Sequence, residues 1–166
     1  MNTSRLEILL AAGICFPLLC LPQTSRFVQA ELTTAINVKS IKVGEVVKAA
    51  AIQTVTLPKG GTIIRGAVIL GQVRAVSADS VAISFDEAEV DGKKVPISLS
   101  IQAAMAPGGD SAKASQNTKA QPGAVIGMPG VTLQVDESPQ HASRFESSAK
   151  KFQLKPGLQL MLAVPE

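Results

Sequence analysis

SVAISFDEAEVDGKKVPISLSIQA, residues 80–103, decides the fold. Val81, Ile83 and Phe85 alternate with Ala82 and Ser84. Beyond Asp91-Gly92, Val95, Ile97, Leu99 and Ile101 alternate with Pro96, Ser98, Ser100 and Gln102. A period of two marks a strand with one buried face, and an Asp-Gly pair between two such runs signals a hairpin. The register follows from the rule that directly opposed residues share a face. A two-residue loop at Asp91-Gly92 sets Phe85 against Ser98. A three-residue loop over 90–92 pairs Phe85 with Ile97, Ile83 with Leu99 and Val81 with Ile101, and puts Glu89 opposite Lys93. The three-residue loop is the expected one, with Gly92 as its left-handed bulge residue, because a one-residue slip turns a whole apolar face to water.

Upstream, residues 32–38 and 44–57 read as strands. Ala49-Ala50-Ala51 would tolerate a helix, but Val46, Val47, Ile52, Val55 and Thr56 around it favour extended backbone. Pro58-Lys59-Gly60-Gly61 supplies a turn, and residues 62–77 form a long strand that Gly66 and Gly71 bend or bulge. Downstream, residues 107–123 hold no large apolar side chain and read as a flexible insertion. Order resumes at 124–126 and at Val131, Leu133 and Val135. Residues 136–151 are mostly polar and read as loop or weak helix. After Pro156-Gly157, the residues Leu158, Leu160, Leu162 and Val164 share one face of a last strand that should join the main sheet.

The reading is therefore all-β, a small β-barrel or sandwich with a flexible insertion, preceded by an N-terminal signal peptide. Its parts are 1–30 signal peptide, 31–106 β-domain core, 107–123 loop and 124–166 C-terminal strands completing the domain. The structural turn residues are Pro58, Gly60, Gly61, Asp91, Gly92, Pro156 and Gly157.

The export signal rests on Arg5, an apolar run from Ile8 to Leu21 and a cut site at Val28-Gln29-Ala30. The run is shorter than the roughly 20 residues a spanning helix needs, so no stable membrane span is expected after cleavage. Cys15 and Cys20 fall inside it, which leaves the mature chain without disulfides or a cysteine zinc site. The core must then come from Val, Ile, Leu and Ala, since only Phe85, Phe145 and Phe152 follow residue 30 among aromatics. Sixteen Lys and Arg against thirteen Asp and Glu give a net charge of +3, but the cations are scattered among acids and aromatic residues are almost absent. Nucleic acid is therefore not an expected partner.

"KVGEVVKAAAIQTVTLPKGGTIIRGAVI" (42–69) followed by "SVAISFDEAEVDGKKVPISLSIQA" resembles the C-terminal β-barrel domain of the TrbI-like family. Those proteins are scaffolds of bacterial conjugation and type IV secretion complexes. The matching elements are the turn at 57–61, the strand at 64–68, the strand at 81–85, and the Asp-Gly turn with its strand at 91–101. The same core resembles that of small exported bacterial proteins with "LPKG…FD…DGK…P". The resemblance implies a barrel in the bacterial cell envelope. It departs from the family in its short lead-in and in lacking a counterpart of the pore-lining antenna helices.

No residue set points to catalysis, a cofactor or a metal. His141 is the only histidine, in a polar stretch beside Asp136, Glu137 and Ser138, and sequence crowding is not triad geometry. Asp86, Glu87, Glu89 and Asp91 form the one acidic cluster, without the spacing of a calcium loop. Gly60-Gly61 and Gly108-Gly109 lack the Lys-Ser/Thr of a phosphate loop. The expected function is a non-enzymatic envelope module, periplasmic, outer-membrane-associated or secreted. It would contact a protein partner through a strand edge or the 107–123 loop. The alternative is a module holding a small hydrophobic or glycan ligand in the barrel mouth.

Overall fold

A computed structural model describes residues 26–107, 122–135, 142–148 and 152–164. The described strands are β1 (Phe27–Leu32), β2 (Ile36–Asn37), β3 (Val46–Ala51), β4 (Val55–Thr56), β5 (Thr62–Ile63), β6 (Val68–Val76) and β7 (Ser80–Val90). They continue with β8 (Lys93–Met105), β9 (Ala124–Ile126), β10 (Val131–Gln134), β11 (Ser143–Ser147), β12 (Gln153–Leu154) and β13 (Gln159–Ala163). No helix is present among the described residues, and so none is long and apolar enough to cross a membrane.

Six strands close on themselves in the order β7-β6-β3-β1-β13-β8 and back to β7, every neighbouring pair antiparallel. The architecture is a barrel, not a sandwich: closure gives each of the six strands a neighbour on both edges. Its interior is filled by side chains. Ala30, Ala49 and Ala51 make β1 and β3 thin on the inside, while β7 and β8 supply the fully buried Phe85, Leu99 and Ile101 across from them. Small against large is how a narrow barrel is packed solid, and each large side chain contributes about 1.5–3 kcal/mol by leaving water. The last strand joins as its alternation required: β13 runs between β1 and β8, with Leu158, Leu160 and Leu162 buried.

The founding hairpin is real, but its register corrects the expectation. The loop has two residues, Asp91 at φ 50° and Gly92 at φ 73°, so Val90 opposes Lys93 and Glu89 opposes Lys94. Positive φ at both positions matches the right-handed twist of the strands. A bulge then does the work assigned to a longer loop. The ladder slips between the Glu87–Pro96 and Phe85–Leu99 pairs, which brings Phe85 opposite Leu99 rather than Ile97. Ile83 and Val81 do not meet β8 at all; they pair with Ser143 and Phe145 of β11.

β11 lies inside the stretch 136–151 that read as loop or weak helix. Its inward positions are Ser143, Phe145 and Ser147, all buried, so two serines conceal a period of two. The boundary set at Ala30–Glu31 falls within β1. Val28 and Ala30 are fully buried, and the barrel begins before residue 31. The strand read over 32–38 is split into the end of β1 and the short β2, which pairs with β12. Residues 1–25, which carry Cys15 and Cys20, and residues 108–121 of the insertion lie outside the described residues. The ends of that insertion are held: the Gly123 amide donates to the Gln102 carbonyl at 2.9 Å, and β9 lies parallel against the end of β8.

Candidate functional site

The β6–β7 ladder slips twice. Between Leu70–Glu87 and Gly71–Phe85 it leaves Asp86 without a partner, and between Val73–Ile83 and Ala75–Ala82 it leaves Arg74 without one. Bulges re-aim side chains, and these two surplus residues are aimed at each other. Arg74 Nη2 donates to Asp86 Oδ2 at 2.7 Å, Arg74 Nε donates to Ser84 Oγ at 2.7 Å, and Ser84 Oγ donates to the same Oδ2 at 3.0 Å. Gly71 makes the first slip feasible, since a Cβ there would collide with the Ser84 carbonyl oxygen and lie 2.8 Å from Phe85 Cδ1.

Beside this triad a groove of about 480 Å³ crosses the outer face, lined by Arg74, Ala75, Ala82, Gln134, Val135, Ala142 and Arg144. Register explains it. Ala75 of β6, Ala82 of β7, Arg144 of β11 and Gln134 of β10 form one row of directly opposed residues across four strands. Two alanines make the β6–β7 end of the row shallow, Arg144 and Gln134 rise on the β11–β10 side, and Arg74 stands next to Ala75 along β6. Gln134 Nε2 donates to Glu146 Oε2 at 3.0 Å, while Arg144 Nη1 stands 4.0 Å from Glu146 Oε1, beyond hydrogen-bond length. Both guanidinium groups are partly solvated, their side chains 41% and 49% exposed.

Guanidinium forks present several N–H donors in a plane and match carboxylates two bonds at a time. The lining adds amide and methyl groups and no nucleophile. The arrangement therefore suits recognition of an acidic or amide-bearing segment laid over an apolar floor.

The residues singled out in the sequence lie elsewhere. Pro58, Gly60 and Gly61 form the β4–β5 turn, closed by the Leu57 amide on the Gly61 carbonyl at 3.0 Å. Asp91 and Gly92 form the β7–β8 turn, and the two turns dock: the Thr62 amide donates to Asp91 Oδ1 at 3.1 Å, and the Asp91 amide donates to the Thr62 carbonyl at 3.0 Å. Pro156 and Gly157 precede β13, the Gly157 amide donating to the Leu32 carbonyl at 2.8 Å. The acidic cluster is dispersed. Asp86 faces Arg74, Asp91 caps the neighbouring turn, and Glu87 lies 3.6 Å from Lys94. Glu89 opposes Lys94 and not Lys93. His141 lies outside the described residues.

None of the groove residues stood out in the sequence. Arg74 and Arg144 are seventy positions apart and look like ordinary solubilising charge. The one available signal was the Ser-x-Phe-x-Ser alternation at 143–147, which places Arg144 on an outer face.

Comparison with protein-family models, with curated proteins and with solved structures returns no match for this chain.

Proposed function

We propose that this chain is a non-catalytic docking module of a bacterial cell envelope, exported by its N-terminal signal, which holds a protein partner on the outer face of the β6-β7-β11-β10 sheet. The observation that carries the reading is the groove of Arg74 and Arg144 over Ala75 and Ala82. A partner segment bearing carboxylates fits it best, because both arginine side chains are partly exposed and a guanidinium pairs with a carboxylate two bonds at a time. Assembly in the envelope is the setting that the TrbI-like resemblance implies, and it belongs to this proposal. The packed barrel interior gives no support to a ligand held inside the barrel mouth.

Sedimentation of envelope extracts tests the proposal. The wild-type chain should travel in a particle larger than itself, and the double variant Arg74→Glu/Arg144→Glu should travel as a free monomer that still melts cooperatively. Lys48→Glu with Lys94→Glu, which alters the same net charge away from the groove, should leave the particle intact. A wild-type chain sedimenting as a free monomer overturns the proposal, as does a particle indifferent to the arginines.

A further inference from the structure

Val28-Gln29-Ala30 has the form of a leader-peptidase site, yet the fold uses these residues as wall. Along one edge of β1, Phe27, Val28, Gln29 and Ala30 oppose Ala163, Leu162, Met161 and Leu160 of β13. Along the other, Ala30 opposes Ala51, and the Ile52 amide donates to the Gln29 carbonyl at 3.0 Å. The pairing continues upstream, since the Val164 amide donates to the Arg26 carbonyl at 2.9 Å. Val28 and Ala30 are fully buried, Gln29 between them faces outward and is half-buried, and the alternation is that of a working barrel strand.

A cut after Ala30 would remove four of the six residues of β1. It would strip β13 of most of its partner, leave the Ile52 amide unpaired and open the barrel between β13 and β3. Buried backbone groups without partners are what folded proteins avoid.

We infer that Phe27–Ala30 remain in the mature protein as a barrel strand, so that any leader is removed on the N-terminal side of Phe27. The matching pattern at Val28-Gln29-Ala30 is then a by-product of strand composition. Ala30 is buried opposite Ala51 in the barrel, and a small residue is also what the peptidase pattern requires.

Two measurements test this on the full chain. The first is the intact mass and N-terminal sequence of the protein matured in an exporting bacterial host. In the exported fraction, a chain that begins at Phe27 or earlier is the expected result; one that begins at Glu31 overturns the inference. The second compares melting of Val28→Asp and Gln29→Asp. Val28→Asp should abolish the cooperative transition, and Gln29→Asp should shift the midpoint by a few degrees at most. Equal melting of the two variants overturns the strand assignment. The first measurement relies on the export reading and the second does not, so failure of export and failure of the strand are told apart.

Discussion

Ser143 stands in for a strand opposite Ile101: its Oγ accepts a hydrogen bond from the Ile101 amide at 3.1 Å and donates one to the Ile101 carbonyl at 3.0 Å. The contact sits where the β7–β8 hairpin forks. β8 pairs with β7 as far as Leu99, and β7 pairs with β11 from Ile83 to Ser80. One hydroxyl thus serves both polar groups of a buried backbone position that pairs with Leu162 of β13 but lies beyond the end of the β7–β8 ladder.

Ser143→Ala leaves a buried amide and a buried carbonyl without partners. The expected cost is about 1–3 kcal/mol in denaturant unfolding, because the full desolvation penalty of those groups is exposed. Ser98→Ala, at a half-buried position of the same hairpin, should stay within about 0.5 kcal/mol. Equal midpoints for the two variants would remove Ser143 from its role at the fork.

Phe145 is fully buried on β11 and directly opposes Val81. Truncation to Ala should cost about 3–5 kcal/mol, the range for large aromatic side chains in a packed core. If residues 143–147 were a surface loop, the same change would be nearly silent in a thermal melt.

Gly71→Ala tests the first bulge. The added methyl collides with the backbone carbonyl of Ser84, which cannot swing aside as a flexible side chain would. Overpacking of about 1–3 kcal/mol or more is expected. The result to compare is Gly44→Ala, where φ is +86° but nothing lies within 4 Å, so backbone conformation alone costs about 1–2 kcal/mol.

Arg74 and Asp86 are 41% and 37% exposed, so their pairing, though short, is screened by water. A double-mutant cycle with Arg74→Ala and Asp86→Ala should give a coupling energy below about 1 kcal/mol, shrinking further in high salt. A larger, salt-insensitive coupling would show that the pair is a structural clamp rather than a surface contact.

Ala75→Leu raises the floor of the groove from a half-buried position outside the core. Stability should change by less than about 0.5 kcal/mol, as for surface substitutions in general. If the proposed docking on this face is right, sedimentation in a larger particle should nevertheless fall to the level of the double arginine variant. Retention of the particle would move the docking face away from this row.

Much of the fold is legible in the sequence because it is local. The Asp-Gly turn, the Pro-Lys-Gly-Gly turn and the alternation at 158–164 each depend on residues within one turn or strand, where φ preference and a period of two act directly. What failed locally failed for a reason. At 143–147 the period is written partly in serines, which read as loop until Ile101 of β8 supplies the hydrogen bonds that make burial of Ser143 tolerable. Phe27–Ala30 carries two patterns at once, a peptidase site and a strand, and only the partners β3 and β13 show the second. The groove is the least legible of all, since it needs four strands in register and two bulges, while the sequence shows only separate arginines. Strand composition and turns were thus determined by the sequence itself. Closure of the barrel and the lining of one groove by Arg74 and Arg144 were decided by tertiary structure, because each brings together residues far apart in the chain, whereas the hairpin register turned on a bulge between neighbouring strands that alternation alone does not mark.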